Sequence, residues 1–332
     1  MRSERPDLTD PFRIADVELE NRVLLAPLAG IGNWFVRLQA HRYGAGLAVS
    51  EMVSSFAIAH RNRRTLEEML RIHPDEGPVS IQLFGGDPDV MREAAAVAAA
   101  AGPRLIDLNF GCPVKKVLKT GAGAALLDEP ELAVEVARAA AEGSGLPVTV
   151  KLRSGMRSGE RSGVELARRL VDEAGVAAIT LHPRAAVQRH SGRPDYALVR
   201  ELVETLDGRV PVIVSGGLHS AERARRAYEE SGADAVMIAR GSLGNPWIFA
   251  ALAGGGDEEP DDEEITTELR WVIERAAEHW GPDRAARNLR KFYPWYVSRL
   301  GYEGAEADRF QRAESLPEVL ELLSAQPISA SV

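Results

Sequence analysis

The only cysteine in the chain, Cys112, lies in the stretch LIDLNFGCPVKKVLKTGAGAALL, between an apolar run and a helical pattern. A lone thiol cannot form an internal disulfide, so Cys112 is either a small packing group or a working thiol. The glycine before it and the proline after it fix a loop backbone and leave little apolar context for burial. Because a thiol is mostly protonated at neutral pH, it can donate a proton as well as attack.

Four other polar side chains stand at or near the ends of apolar runs, namely Gln82, Asn109, Lys151 and His182. An unpaired buried lysine is costly, so Lys151 either reaches the mouth of a site or meets an anion. Amides such as Gln82 and Asn109 can hydrogen-bond a planar heterocycle. No second ligand residue stands at metal-ligand spacing beside His182, so we predict no metal site. Each residue alone is more often structural, but together on one face they favour a binding site.

Glycine-rich loops follow the last two apolar runs, in VIVSGGLHS and MIARGSLGN. Backbone N–H groups and a helix N-terminus can surround an anion. Paired loops after strands seven and eight form the phosphate site of many α/β barrels. Ser220 is placed to cap the helix after the first loop. The pair therefore predicts a phosphorylated cofactor or substrate, although either loop alone could simply shape a turn.

Eight apolar runs alternate with helical patterns, and this order must position the polar residues. The runs cover 23–26, 47–50, 79–83, 105–109, 148–152, 178–181, 212–215 and 235–239, and helical patterns include 87–101, 131–142, 164–173 and 220–231. Eight alternations over about 250 residues predict a (β/α)₈ TIM barrel, an α/β fold, with an open doubly wound sheet as the alternative. The barrel is favoured because it brings all the polar strand ends to one face.

The chain has ordinary globular composition, with 45% hydrophobic and 27% charged residues and a net charge of -9. Seven acids in the eight residues 257–264 supply most of the negative excess. From there the sequence is helical, so we predict a barrel domain over 1–256 and a small all-helical C-terminal domain over 257–332. Without a signal peptide or a membrane-length apolar stretch, we expect a soluble cytoplasmic protein with no membrane contact and no obligatory protein partner.

Several motifs together resemble one known family. They are LAPLAG, SEMVSS, VSIQLFGG, NFGCPVKKVLKTGAGAALL, VTVKLRSG, LHPRAAVQRHSGRPDY and MIARGSLGNPWIF. In order and spacing they resemble the flavin-dependent tRNA-dihydrouridine synthases, most closely the bacterial B-type subgroup. The resemblance covers residues 12–250 and, more weakly, the helical part. It implies an FMN-binding barrel followed by a helical tRNA-binding domain, with NADPH as the reductant.

The resemblance also implies a role for individual residues. Cys112 would give a proton to C5 of uridine while reduced FMN gives a hydride to C6, yielding dihydrouridine. The residues implied to hold FMN are Pro27, Leu28, Ala29, Gln82, Asn109, Lys151, His182, Ser215, Gly216, Gly217, Ala239 and Arg240. The residues predicted to contact tRNA are Lys115, Lys116, Lys119, Arg184, Arg287, Arg290 and Lys291.

The segment 283–299 mixes five Lys or Arg residues with four aromatic residues. Such a mixture suits phosphate contact and base stacking. A solvated helix whose aromatic residues pack inward explains the same pattern equally well.

Some positions depart from the B-type pattern. Gly32 and Asn33 stand where Thr-Asp is usual. The segment SGG, from Ser215 to Gly217, replaces the usual Asn-Gly-Asp. Ala185 lies in LHPRAA, which replaces the usual HGRT. These departures keep three alternatives open. They are an FMN-dependent reductase of another RNA, a reductase of a free pyrimidine similar to dihydroorotate dehydrogenases, and a flavin-retaining RNA-binding factor without turnover.

Overall fold

Parallel strands close into a barrel in the computed structural model, which describes residues 5–324. The strands are β1 (Phe12–Ile14), β2 (Val17–Leu19), β3 (Val23–Leu25), β4 (Leu47–Val49), β5 (Val53–Ser54), β6 (Val79–Phe84), β7 (Leu105–Phe110), β8 (Val148–Arg153), β9 (Ala178–His182), β10 (Val212–Ser215) and β11 (Ala235–Ile238). β3 pairs with both β4 and β11, and β4 pairs with β6, so the ring is closed. The predicted (β/α)₈ barrel is confirmed, and the open sheet is excluded.

All eight predicted strands are present, with ends that differ from the prediction by at most one residue. β5 is a two-residue addition beside β6. The hairpin of β1 and β2 was not predicted from the sequence. Its apolar residues, among them Phe12 and Ile14, pack against Leu47 and Leu105 at the strand beginnings, so the hairpin plugs the amino-terminal end of the barrel.

Helices surround the barrel and connect its strands. They are α1 (Trp34–Arg42), α2 (Ser55–Ala59), α3 (Pro88–Ala99), α4 (Lys115–Leu118), α5 (Pro130–Ser144), α6 (Ser162–Ala174), α7 (Tyr196–Leu206), α8 (Ala221–Ser231), α9 (Trp247–Leu252), α10 (Asp262–Trp280), α11 (Pro282–Leu289), α12 (Tyr293–Val297), α13 (Gly304–Arg312) and α14 (Leu316–Ser324). The Ser220 hydroxyl accepts from Arg223 N–H and caps α8, as predicted. No helix among the described residues is long and apolar enough to cross a membrane.

The barrel interior is apolar on one side and polar on the other. β3, β4 and β11 contribute residues such as Leu24, Val49 and Met237 to the inner core. β6 to β9 instead carry buried polar residues, including Gln82, Asp107, Thr149, Thr180 and His182. Buried polar groups must be hydrogen-bonded to one another or to a ligand. Two of these residues, Gln82 and His182, also line a cavity at the carboxyl ends of the strands.

The C-terminal helices pack on α1 through a shared core. The buried carboxylate of Glu268 in α10 accepts hydrogen bonds from Gln39 Nε2 (2.7 Å), Tyr43 Oη (2.9 Å) and Arg42 Nη1 (3.2 Å). Gln39 Nε2 also donates to the Tyr296 hydroxyl (2.9 Å). These bonds fix the helical segment on the barrel. The division into 1–256 and 257–332 stays a prediction, and its two ends, 1–4 and 325–332, lie outside the described residues.

The aromatic residues of segment 283–299 mostly face inward. Phe292, Tyr293 and Tyr296 are each at most 3% exposed, so they cannot stack on a nucleobase. Trp295 is partly buried against the same core. The structure thus favours the interpretation in which this segment presents its cations to solvent and packs its aromatic rings.

The acidic run at 257–264 has a structural use. The Asp261 carboxylate accepts from Glu264 N–H, while the Glu264 carboxylate accepts from Asp261 N–H, forming a capping box at the start of α10. The Glu258 carboxylate accepts from Ala221 N–H at the start of α8 (2.7 Å). Negative charge at helix N-termini is favourable because of the helix dipole.

Candidate active site

One cavity of about 760 Å³ opens at the carboxyl ends of the barrel strands. Its wall contains every residue predicted to be catalytic or to hold the cofactor, from Pro27 in the first loop to Arg240 after β11. The lining residues include six Lys or Arg residues and three His residues but no Asp or Glu. Such a wall favours an anionic ligand.

A chain of hydrogen bonds runs from the barrel interior to the cysteine loop. Gln82 Nε2 donates to Asp107 Oδ2 (2.6 Å), and Asn109 Nδ2 donates to Gln82 Oε1 (2.9 Å). Asn109 Oδ1 in turn accepts from the N–H groups of Cys112 (2.9 Å) and Gly111 (3.2 Å). The amide of Asn109 therefore sets the backbone that carries the thiol.

Arg153 holds the cysteine loop from the other side. Its Nε donates to Gly111 O (3.0 Å), and its Nη1 donates to Arg189 O (2.8 Å) and Ala185 O (3.2 Å). Ala185 is buried, and its carbonyl takes part in this clamp. The replacement at Ala185 thus lies where the Arg153 side chain bridges backbone carbonyls of the loops after β7 and β9.

Lys151 and Asp107 lie close together in the polar half of the barrel. Burial lowers the pKa of Lys151 to about 8, helped by the charge of Arg153 and opposed by Asp107 and Cys112. Burial raises the pKa of Asp107 to about 6, opposed by the hydrogen bonds from Thr149 and Gln82 and by the Lys151 charge. At a pH between these values Lys151 is a cation and Asp107 an anion.

His182 is a neutral ring of fixed tautomer. Arg184 Nη1 lies 3.0 Å from His182 Nε2, and because a guanidinium can only donate, Nε2 is the acceptor and the proton sits on Nδ1. Burial, followed by the charges of Lys151, Arg153 and Arg184, lowers the pKa of His182 well below its usual value. His182 can therefore donate one hydrogen bond from Nδ1 but carries no charge near neutral pH.

The loop after β10 requires glycine at two positions. Gly216 has φ of +92°, and a Cβ there would lie 2.4 Å from His182 Cδ2. Gly217 has φ of +83°, and its Cβ would lie 2.7 Å from Pro194 Cγ. Tyr196 Oη donates to Gly216 O (2.9 Å), and Ser215 Oγ donates to Met237 O (3.1 Å). An aspartate cannot occupy position 217 without moving Pro194.

The first loop explains the departures at Gly32 and Asn33. Asn33 caps α1 by accepting from Val36 N–H, a role that asparagine and aspartate fill equally well. A Cβ on Gly32 would lie 3.1 Å from Glu51 N and 3.2 Å from Leu28 O, so a larger residue would strain the loop. Both differences from the B-type pattern are therefore accommodated by local backbone structure.

The residues predicted to contact tRNA fall into three settings. Lys115, Lys116 and Lys119, here called the α4 lysines, are exposed beside Cys112. Arg287 is exposed on α11, whereas the exposed Arg290 donates to Ala313 O (3.0 Å).

Arg184 and Lys291 have contacts within the chain. Arg184 is buried in the cavity wall, and its Nη2 donates to Gly192 O (2.8 Å), so an RNA reaches it only by entering the cavity. Lys291 Nζ donates to Gly30 O and links the helical segment to the first loop.

Residues of the site that were not predicted from the sequence include Asp107, Arg153 and Tyr196. Asp107 is two residues from Asn109 on β7, and Arg153 is two residues from Lys151 on β8. Side chains two residues apart on a strand share a face, so strand periodicity would have placed both on the inner face. Nothing in the sequence indicated that Tyr196 reaches Gly216. Among residues 5–324 no group of three or more His, Cys, Asp or Glu residues could hold a metal ion.

The closed barrel and its cationic mouth define a (β/α)₈-barrel enzyme. Solved structures share this fold, including morphinone reductase (TM-score 0.55, 18% identity, 79% of this chain and 93% of that one). An old yellow enzyme homologue from Zymomonas mobilis is similar (TM-score 0.55, 15% identity, covering 73% and 90%).

The family model "Dihydrouridine synthase (Dus)" matches residues 24–327, so the chain belongs to the dihydrouridine synthase family. tRNA-dihydrouridine synthase B of Yersinia pestis is 35% identical over 324 residues, covering 95% of this chain and 98% of that protein. The probable tRNA-dihydrouridine synthase 1 of Synechocystis is 36% identical over 327 residues, covering 97% and 90%. The resemblance to this family is thereby confirmed.

Proposed function

We propose that this protein reduces the C5–C6 double bond of uridine in tRNA to 5,6-dihydrouridine, with FMN as its cofactor and NADPH as the reductant. Family membership supports the reaction. The observation that carries the proposal is the position of Cys112, the only cysteine, in the wall of the cationic cavity. Because the uridine must enter a barrel mouth, it has to leave the RNA stack.

The lining of the cavity carries groups that suit the chemistry of FMN. The Gly216–Gly217 turn and Arg240 offer backbone and cationic groups to a phosphate, in the place where barrels bind one. Gln82, Asn109 and the Nδ1–H of His182 present donors and acceptors suited to a heterocycle. Pro27 to Ala29 also line the cavity. We assign the flavin to this cavity and its phosphate to the turn after β10.

In this proposal the chain's own groups supply the proton and fix the base. FMN, when bound and reduced, supplies the hydride that C6 receives. The Cys112 S–H gives its proton to C5 and is left as a thiolate, which regains a proton from solvent. Lys151 in the cavity wall provides positive charge, which stabilises negative charge that develops there. Asn109 and Arg153 hold the thiol loop in place before the substrate arrives.

We propose that RNA approaches across the α4 lysines and Arg287. These side chains are exposed, and the α4 lysines follow Cys112 within seven residues. Phosphate contacts of this kind position a nucleic acid without reading its sequence. We further propose a cytoplasmic location, which agrees with a reduced, unpaired cysteine.

A substrate comparison tests the proposal. The purified protein is incubated with FMN, NADPH and one of three substrates in separate reactions. The substrates are unmodified tRNA, a ribosomal RNA fragment, and a mixture of orotate and free uridine. Base reduction is measured by mass spectrometry. Reduction of tRNA alone supports the proposal. Reduction of a free pyrimidine instead identifies a dihydroorotate-dehydrogenase-like enzyme, and RNA retention without any reduction identifies a binding factor. Repeating the assay with NADH decides the reductant.

A further inference from the structure

Asp107 is a buried carboxylate for which the reaction above has no use. It lies on the inner face of β7, in register with Gln82 on β6 and Thr149 on β8, and it is 1% exposed. Gln82 Nε2 donates to Asp107 Oδ2 and Thr149 Oγ1 donates to Asp107 Oδ1, both at 2.6 Å. Burying a charged group is expensive, and these two hydrogen bonds offset part of that cost.

The ionised carboxylate determines which way two amides face. Because Asp107 only accepts, Gln82 must turn its Nε2 towards it and its Oε1 towards Asn109. Asn109 must then donate from Nδ2 to Gln82, which leaves its Oδ1 for the N–H groups of Gly111 and Cys112. If the group at position 107 donated instead, Gln82 would reverse, and donors of Gln82 and Asn109 would face each other.

We propose that Asp107 is a positioning residue that acts through Gln82 and Asn109 to orient the Cys112 thiol and the amide edge of the cavity. The proposal concerns the same site as the proposed function and relies on it for its catalytic meaning. Asp107 itself does not line the cavity, whereas Gln82, Asn109 and Cys112 all do. Its influence therefore passes along hydrogen bonds of 2.6 to 2.9 Å rather than through direct contact with a ligand.

Three variants separate orientation from general destabilisation. Asp107→Asn has the same shape but adds an NH₂ donor. This donor can face Thr149 Oγ1, so the side-chain oxygen at position 107 can still accept from Gln82 Nε2. Asp107→Leu/Thr149→Val removes the acceptor altogether, so nothing then fixes which end of the Gln82 amide faces Asn109. Thr149→Val alone is the matched control when all variants are assayed at the same alkaline pH. Losing the Thr149 bond raises the pKa of Asp107, but at alkaline pH the carboxylate stays ionised and keeps its bond to Gln82.

The first readout is the rate at which iodoacetamide alkylates Cys112 in the full-length protein as isolated. Since the chain has one cysteine, mass spectrometry reports this rate directly. We expect the double variant to change the alkylation rate by about threefold or more, with Asp107→Asn intermediate and Thr149→Val within about twofold of wild type. Urea unfolding of the same samples shows whether the variants are folded.

The second readout is tRNA reduction. We expect kcat of the double variant to fall about 10- to 100-fold with KM within about threefold, because a misplaced catalytic group lowers the rate of the chemical step. A double variant with wild-type alkylation and wild-type kcat overturns the proposal. So does a Thr149→Val variant as impaired as the double variant. If wild type does not reduce tRNA, the proposed function fails, while the alkylation comparison still decides the role of Asp107.

Discussion

Replacing Gly216 with alanine tests the fit between the loop after β10 and His182. The new Cβ would lie 2.4 Å from His182 Cδ2 and 2.5 Å from Nε2, whereas unstrained carbon contacts lie near 3.5–4.0 Å. His182 cannot easily yield, because its Nε2 is bonded to Arg184 Nη1. The φ of +92° adds backbone strain. Strain of about 1–3 kcal/mol and overpacking of about 1–3 kcal/mol give a total loss of about 2–6 kcal/mol.

Gly232→Ala is the matched control for this prediction. Gly232 has φ of +70°, but nothing lies within 4 Å of a Cβ built there, so it carries the backbone strain without the clash. Urea unfolding should show a loss for Gly216→Ala that exceeds the Gly232→Ala loss by about 1–3 kcal/mol. FMN affinity, measured by quenching of flavin fluorescence, should fall at least about tenfold only for Gly216→Ala.

A double variant completes the test of Gly216. Gly216→Ala/His182→Ala removes the imidazole and with it the clash, so the two changes should be coupled by about 1 kcal/mol or more in unfolding free energy. Equal losses in Gly216→Ala and Gly232→Ala, with no coupling to His182, would refute the packing argument.

Three further predictions concern the surface, the core and pH. Neutralising the α4 lysines should weaken tRNA binding. The slope of log K against log salt concentration should become shallower by about 0.7 for each lost phosphate contact. Arg104→Gln, at the amino-terminal end of β7, should change neither quantity. Arg37→Met should lower the free energy of unfolding in urea by about 3–5 kcal/mol, because it leaves the buried Glu76 carboxylate, 2.7 Å from Arg37 Nε, without its cation. The double variant Arg37→Met/Glu76→Gln should lose less unfolding free energy than Arg37→Met. Burial lowers the pKa of His279 to about 4, so as the pH falls below 6.5 the unfolded chain binds this proton before the folded chain does. The free energy of unfolding should therefore decrease as the pH falls from 6.5 to 4. His279→Gln should make this decrease smaller.

Much of the fold was predictable because strands buried on both faces give short apolar runs that end in polar residues. The sequence does not predict the hairpin of β1 and β2, because each strand has only three residues. The turn between them contains Ala15 at φ of +51°, a conformation that a glycine would have indicated. The cavity residues were found through their position at strand ends. Lys151 and Gln82 are examples, since each lies near the carboxyl end of an apolar run and lines the cavity.

Other features depend on contacts that a linear sequence does not display. Asn33 differs from the B-type pattern, but only the structure shows that it caps α1. Gly217 must be glycine because Pro194, 23 positions earlier, occupies the space beside it. Arg184 was predicted to contact tRNA, yet its guanidinium is bonded to His182 and Gly192 inside the cavity wall. Long-range packing decides each of these cases.

The most direct test of the account is mass spectrometry of unmodified tRNA after incubation with FMN, NADPH and either the wild-type protein or Cys112→Ala. Wild type should add the mass of two hydrogen atoms to a uridine. Cys112→Ala should still bind FMN but lose about 10²- to 10⁴-fold in rate, the usual contribution of a positioned acid. Equal reduction by both proteins would contradict the role of Cys112, and no reduction by either would contradict the proposed reaction.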